Sequence, residues 1–155
     1  MKPRLVIVVL LIFALAAPVM TLAKDRKHEA KPIVISTKDA PPAAGSYSQA
    51  IVAGGFVYVS GQVPRDPGTN KMVEGDISTQ TDRVMKNIEA ILAAAGSRMD
   101  NVVRTTVYLK NVSDFAKMNA VYGSYFKTNP PARSTVGVDL PAPGALVEID
   151  AVALK

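Results

Sequence analysis

The clearest pattern along the chain is a helical one in residues 76–95, where apolar side chains recur at three- and four-residue spacing. The stripe that they form consists of Ile77, Val84, Ile88, Ile91, Leu92 and Ala95. Asp76 or Ser78 is suited to cap the first turn, and Gly96 stands where helices commonly end. These features predict a long amphipathic helix with one buried face.

A second, shorter helix is predicted to begin at Ser113 or Asp114 and to stop at Pro130 and Pro131. Its large side chains also recur at helical spacing, which favours a place in the core over a surface that stacks on ligands. The residues predicted to face inward are Phe115, Met118, Tyr122, Tyr125 and Phe126.

The other apolar segments follow the two-residue period of strands. These strands are predicted in residues 33–35, 48–53, 56–63 and 102–110, and two more in residues 131–155. Gly54 and Gly55 predict a hairpin turn, and the breaker cluster 141–144 separates the last two strands. The order βββ-α-β-α-ββ predicts an α+β domain, in which a single mixed β-sheet carries two amphipathic helices on one face.

The last two strands contain charges among apolar residues. Alternation places Arg133 on the face opposite Val136 and Val138, while Glu148 and Asp150 point away from an apolar face of the final strand. That apolar face is formed by Val147, Ile149, Ala151 and Ala153. Since charges are rarely buried without a partner, three interpretations stay open: a structural ion pair, an edge strand facing water, or a functional site.

Residues 1–23 have the layout of a secretory signal. A short positive start precedes an uninterrupted apolar run from Leu5 to Ala17, and the segment ends on the small-residue sequence Thr21-Leu22-Ala23. The alternative is an uncleaved anchor, because the apolar segment is long enough to cross a bilayer. Pro18 and the small-residue ending favour cleavage after Ala23.

Cleavage is expected to leave a polar leader in residues 24–31 and a folded domain in residues 32–155. We expect export to a bacterial periplasm or the medium, with no membrane attachment afterwards. Loss of Lys2 and Arg4 lowers the formal net charge from +5 to +3. Such a mild surplus without a basic cluster does not favour nucleic acid as a partner.

The chain has no cysteine and a single histidine, His28, which lies in the polar leader. This composition excludes a disulfide, a thiolate nucleophile and a histidine-based triad or metal site in the domain. No glycine-rich phosphate loop opens a helix, so neither a metal nor an organic cofactor is predicted. The remaining candidates for chemistry are polar residues at strand ends and in loops.

Several short motifs occur in one order along residues 33–154. They are Asp39-Ala40-Pro41, Gly45-Ser46-Tyr47-Ser48-Gln49, Val59-Ser60-Gly61-Gln62, Val103-Arg104-Thr105-Thr106-Val107-Tyr108, Asp114-Phe115-Ala116 with Asn119, Pro131-Ala132-Arg133-Ser134 and Glu148-Ile149-Asp150-Ala151. With this set the chain resembles the RidA/YjgF family of reactive-intermediate (enamine/imine) deaminases. The resemblance implies a chorismate-mutase-like fold and a homotrimer, with a substrate cleft lined by two chains at each subunit boundary.

The resemblance also implies roles for particular residues. Arg133 corresponds to the arginine that holds the substrate carboxylate, and the planar guanidinium suits this task better than lysine does. Glu148 corresponds to the carboxylate that activates water, and it is thereby selected over Asp150. Thr135 corresponds to a residue whose backbone carbonyl also holds the water. Further residues correspond to positions that line the cleft: Tyr47, Ser60, Gly61 and Asn119.

The activity implied by the resemblance is hydrolysis of 2-enamino or 2-imino acids to 2-keto acids and ammonia, without a cofactor. The alternative is a trimeric ligand-binding or holdase-like module without turnover, since a fold does not determine a function. The chain departs from the family at Thr135, where many relatives have cysteine, and at Ser46, where proline is common. Pro130 stands where an aromatic residue often precedes Pro-Ala-Arg, in a short link to the last strands.

Overall fold

The computed structural model describes residues 31–155, so the predicted signal segment and nearly all of the predicted leader lie outside it. Six strands and two helices form in the predicted order. The strands are β1 Ile33–Ile35, β2 Ala50–Ala53, β3 Phe56–Gln62, β4 Val102–Leu109, β5 Ala132–Gly137 and β6 Val147–Leu154. The helices are α1 Ile77–Ala94 and α2 Phe115–Ser124, and neither of them is long and apolar enough to span a bilayer.

The six strands form one sheet in the order β1-β2-β3-β6-β4-β5. β4 and β5 run parallel, and the other neighbouring pairs described here are antiparallel. A parallel pair needs a crossover connection, and α2 supplies it between β4 and β5. The prediction of a single mixed sheet is therefore confirmed, and the last two strands are not neighbours because β4 lies between them.

Helix α1 begins and ends where its sequence signals predict. The Asp76 side chain accepts a hydrogen bond of 3.0 Å from the Thr79 N–H, which satisfies a free donor of the first turn. Gly96 follows the helix with a φ of +73°, the left-handed conformation that glycine adopts at helix ends. The buried apolar residues are Ile77, Val84, Met85, Ile88, Ile91 and Leu92. Each such burial stabilises the fold by roughly 1.5–3 kcal/mol.

The predicted apolar face of β6 is confirmed, because all four of its side chains are buried. They meet Val57 and Val59 of β3 on one side and Val107 and Leu109 of β4 on the other. Both helices cover this face of the sheet, which we call the helix face. The opposite face, which carries Glu148 and Asp150, has no helix from residues 31–155 over it and is called the open face.

The prediction that the large side chains of the second helix face inward to the core is wrong for Phe115. Met118 and Tyr122 are buried, whereas Phe115 keeps 42% of its surface exposed. The reason lies in β5, an edge strand that presents Arg133 to the first turns of α2 in place of an apolar side chain. Tyr125 and Phe126 are packed against the core, although they lie just beyond the end of the helix.

Strand β5 also differs from the core-like appearance of its sequence. Val136 and Val138 are both exposed, since they lie on or just beyond an edge strand whose open face is uncovered in the single chain. Strand β5 is therefore an edge strand, as one interpretation of its pattern predicted, whereas β6 lies in the interior of the sheet.

Candidate functional site

Arg133 and Glu148 project from opposite faces of the sheet. In the ladder Arg133 lies beside Thr105 and Ala151, whose side chains are buried on the helix face. Glu148 lies beside Tyr108 on the open face. Cross-strand neighbours share a face, so the two charged side chains cannot form an ion pair within one copy of the chain.

Four of the predicted site residues meet in a cavity of about 780 Å³ on the open face, which we call the carboxylate pocket. These residues are Tyr47, Ser60, Gly61 and Glu148. They come from the loop before β2, the end of β3 and the start of β6. The volume falls within the range that is usual for small-molecule sites.

Gly61 is required by the close approach of Glu148. A Cβ atom at this position would overlap Oε1 of Glu148 and would lie 2.9 Å from its Cδ atom. The ladder between β3 and β6 is irregular at this point, between Val59 and Gln62, as is common beside functional sites. The glycine of the Ser-Gly-Gln motif therefore makes room for a carboxylate next to the β3 backbone.

Ser60 and Tyr47 are held by hydrogen bonds to the protein backbone. The Ser60 hydroxyl donates to the Ser48 carbonyl at 2.6 Å, and the Tyr47 hydroxyl accepts from the Ala44 N–H at 3.1 Å. The Tyr47 ring itself remains exposed at the rim of the pocket. Hydroxyl and ring are thus fixed in place before any ligand binds.

The electrostatics of the carboxylate pocket suit proton transfer. Burial raises the pKa of Glu148 above its ordinary value, and the charge of Asp150 raises it further. Asp150 accepts a hydrogen bond of 3.0 Å from the Tyr108 hydroxyl, and this bond raises the pKa of Tyr108. A carboxyl group with a raised pKa holds a proton more readily than an ordinary one and can both accept and return it.

Two other predicted residues, Arg133 and Asn119, meet on the helix face in a cavity of about 310 Å³, the arginine pocket. The remaining lining residues are Tyr122, Gly123, Phe126, Pro130 and Pro131. Within residues 31–155 the half-buried guanidinium of Arg133 has no salt-bridge partner. An unpaired arginine at the edge of a cavity is suited to bind an anion.

Thr135 joins neither group. It lies on the helix face of β5, two residues after Arg133, and lines neither the carboxylate pocket nor the arginine pocket. Its hydroxyl oxygen is buried, with no hydrogen-bond partner in the described part of the chain.

The carboxylate pocket includes residues that the sequence did not indicate. Arg65 lies in a turn-rich loop, and the sequence of segment 141–143 predicts only a strand breaker. The family resemblance favours Glu148 over Asp150, although both line the pocket. The position of Arg65 shortly after the Ser-Gly-Gln motif was the available signal. No cluster of three metal-binding side chains occurs in residues 31–155.

A further cavity, of about 850 Å³, lies between residues 35–43, residues 48–49 and the loop at residues 67–68. None of the predicted site residues lines it. Its buried polar side chain, Gln49, is already bonded to the backbone of residues 37–41. The carboxylate pocket and the arginine pocket are therefore the candidate site.

Comparison with known proteins agrees with the sequence motifs. The family described as Endoribonuclease L-PSP matches residues 37–155. A RutC family protein from Pyrococcus horikoshii is 51% identical over 122 residues, which are 79% of this chain and 97% of that protein.

Solved structures agree as well. A protein of unknown function of the Rid family from Yersinia pestis superposes with a TM-score of 0.78 at 48% identity, over 80% of this chain and 99% of that one. TdcF from E. coli, solved with bound serine, gives a TM-score of 0.75 at 35% identity, over 79% and 98% of the two chains. The chain belongs to the Endoribonuclease L-PSP family, also called RidA/YjgF.

Proposed function

We propose that the protein hydrolyses 2-imino acids, and the 2-enamino acids that tautomerise to them, to 2-keto acids and ammonia. The observation that carries this proposal is the division of the chemistry between two pockets. One holds an unpaired arginine suited to a carboxylate, and the other holds a carboxyl group with a raised pKa. TdcF, which was solved with serine, gives a relative whose ligand also carries a carboxylate.

The two pockets become one site if neighbouring copies of the chain bring them together, as in a homotrimer. The open face favours such an assembly, because it leaves large apolar side chains uncovered in the single chain. Tyr58, Val136 and Leu154 are all exposed there. We propose that each cleft combines the carboxylate pocket of one copy with the arginine pocket of the next.

In this cleft Arg133 binds the substrate carboxylate through two parallel N–H donors and so orients the imine carbon. An enamine is first protonated at carbon to give the imine. Water held by Glu148 attacks the imine carbon, and Glu148 accepts a proton from the water. Glu148 then returns this proton to the nitrogen, which gives a carbinolamine. Glu148 next accepts the proton of the carbinolamine hydroxyl and passes it to the nitrogen as the carbon–nitrogen bond breaks, so the products are the keto acid and ammonia.

The name of the family raises cleavage of RNA as a second activity. The carboxylate pocket favours the imino acid, since Glu148 and Asp150 line it together and a phosphodiester would be repelled. Among the residues that line this pocket, Arg65 alone carries a positive charge, against the two carboxyl groups of Glu148 and Asp150.

The test is a coupled assay in which an amino-acid oxidase produces 2-iminopropanoate from alanine. We expect the protein to accelerate ammonia release over the spontaneous rate, without added metal. An Arg98→Lys variant is the matched control, because Arg98 is exposed to solvent and lines neither pocket. Ammonia release at the spontaneous rate by a folded oligomer would refute the proposal, and RNA cleavage by the same preparation would replace it.

The cellular compartment is a separate proposal. We propose that residues 1–23 are removed on export and that the mature chain begins near Lys24. Mass spectrometry of the exported protein tests this, and a full-length product retained in the membrane would contradict it.

A further inference from the structure

The guanidinium of Arg133 lies over two aromatic rings of α2. Its central carbon is 4.6 Å from the ring centre of Tyr122 and 5.6 Å from that of Phe115. The two aromatic residues are seven positions apart, which places them on one side of the helix about two turns from each other. Both distances are within the range of cation–π attraction.

The Tyr122 ring is held in place by a hydrogen bond as well as by packing. Its hydroxyl makes a buried hydrogen bond of 2.7 Å with the hydroxyl of Thr105. Thr105 is the direct neighbour of Arg133 in the β4–β5 ladder. The ring of Phe126 contacts Tyr122 from another side, with ring centres 4.8 Å apart. Strand β4 therefore fixes the ring over which the guanidinium of the adjacent strand lies.

Stacking on aromatic rings uses the face of a guanidinium and leaves its N–H donors free along the edge. Those edge donors are the ones that bind a carboxylate in bidentate geometry. Arg133 has no acidic partner in the described residues, so the rings are the contacts that limit its orientation. A long side chain that is ordered in advance loses less rotational freedom when a ligand binds.

We propose that Tyr122, assisted by Phe115, is a positioning residue that holds the Arg133 guanidinium in the orientation that binds the substrate carboxylate. This inference rests on the proposed function and extends it to residues that do not touch the reacting atoms. It predicts that loss of the Tyr122 ring specifically weakens the binding of ligands with a carboxylate. If Tyr122 had a purely structural role, its loss would weaken the binding of all ligands alike.

The test compares pyruvate, the keto acid expected from 2-iminopropanoate, with pyruvamide, in which an uncharged amide replaces the carboxylate. Binding of both probes is measured by calorimetry for the wild type, Tyr122→Leu and Tyr122→Phe. We expect Tyr122→Leu to raise the Kd of pyruvate roughly 3- to 30-fold and to leave that of pyruvamide unchanged. Tyr122→Phe keeps the ring and is expected to retain most of the affinity for pyruvate.

A double-mutant cycle links the effect to the guanidinium. In an Arg133→Gln background, Tyr122→Leu should cause no further loss of pyruvate affinity, because the group that it positions is gone. Tyr125→Leu is the matched control, since it removes an aromatic ring at the end of the same helix, away from the guanidinium. Phe115→Leu changes an exposed residue and tests the second contact if Tyr122→Leu does not fold.

The outcomes separate this inference from the proposed function. Equal weakening of pyruvate and pyruvamide, or further loss in the Arg133→Gln background, would overturn the positioning role. A wild type that does not distinguish the two probes would overturn it too. If the proposed deaminase activity is wrong, the result is different: the protein binds pyruvate but does not accelerate imine hydrolysis. Where turnover is observed, Tyr122→Leu should raise KM more than it lowers kcat.

Discussion

Thr105 and Tyr108, three residues apart on β4, hold Arg133 and Glu148 on opposite faces of the same sheet. Thr105 pairs with Arg133 on the helix face, and Tyr108 pairs with Glu148 on the open face. An odd spacing along a strand always reverses the face, so no rotation of either side chain brings the two charges together in one copy. The chemistry proposed for them therefore requires two copies of the chain.

Replacement of Arg133 by lysine should lower the rate of imine hydrolysis while the fold remains stable. Lysine keeps the charge but cannot present two parallel donors to a planar carboxylate. Loss of one charge-assisted hydrogen bond costs roughly 1.5–3 kcal/mol, which is about one to two decades in rate. The deaminase rate and the thermal midpoint are measured together, with the exposed Arg98→Lys as the control. A fall in both quantities without a selective loss of rate would contradict the assignment.

Replacement of Glu148 by glutamine should abolish turnover and make the folded protein more stable at neutral pH. The folded state holds the Glu148 proton more tightly than the unfolded state does, because burial and then Asp150 raise its pKa above 4.5. The stability linked to this proton is complete below the unfolded-state pKa and is lost as the pH rises through the folded-state pKa. Glutamine has no proton to lose in this pH range, so the variant does not lose this stability as the pH rises.

The measurement is thermal unfolding of both proteins from pH 4 to pH 7. The stability advantage of Glu148→Gln should grow with pH over this window, while its turnover stays abolished at every pH. A variant that is fully active, or one whose stability falls below that of the wild type at pH 7, would show that Glu148 has a structural role instead.

Replacement of Asp150 by asparagine should move the acid limb of the pH–rate profile to lower pH. The negative charge of Asp150 contributes to the raised pKa of Glu148, and asparagine removes that charge. The amide oxygen can still accept the hydrogen bond that Tyr108 donates, so the local geometry is kept. Arg65 and Tyr47 line the same pocket and are present in both proteins. The profile of kcat/KM reports the shift, and an unchanged acid limb would mean that a different group titrates.

Replacement of Gly61 by alanine should reduce turnover through displacement of the Glu148 carboxylate. The added Cβ would overlap Oε1 of Glu148, so the side chain must leave its position beside β3. Gly68→Ala is the control, because its Cβ would meet only an ordinary contact of 3.5 Å with Asp66. We expect a selective loss of rate for Gly61→Ala in the coupled assay. Equal activity of the two variants would place the reactive position of Glu148 elsewhere.

Local signals in the sequence were sufficient for most of the fold. Three features depend on neighbouring residues only: the apolar stripe of α1, its cap at Asp76, and the glycine pair at the turn between β2 and β3. The failure at Phe115 has a different cause, because its exposure depends on which side chain β5 presents to α2. Helical spacing cannot distinguish a core aromatic ring from one that supports a guanidinium.

The sequence predicts the arrangement of the candidate site less completely than it predicts the fold. Motif resemblance predicts roles for Arg133 and Glu148, but their placement on opposite faces follows from the insertion of β4 between β5 and β6 and from the register of both ladders. That strand order depends on long-range pairing, which no local pattern specifies. Arg65 was missed for a similar reason, since a loop arginine becomes part of a pocket only when the strands assemble.

Mixing two inactive variants should restore activity. In the proposed cleft one copy supplies Glu148 and the next supplies Arg133, so Arg133→Gln and Glu148→Gln each disable every cleft of their own homotrimer. In a random mixed trimer about one cleft in four receives the intact Glu148 from one variant and the intact Arg133 from the other. Dissociation and reassembly of an equimolar mixture should therefore recover about a quarter of the wild-type rate.

Two controls make this experiment decisive. Mixing without reassembly should give no recovery, and a chain that carries both substitutions should not restore activity to either single variant. Light scattering of residues 24–155 reports the assembly independently and should give a trimer before any ligand is added. If both charges acted within one copy, every cleft in the mixed trimers would remain inactive. No recovery after confirmed subunit exchange would therefore exclude the shared cleft, and the pairing of the two pockets across copies would be wrong.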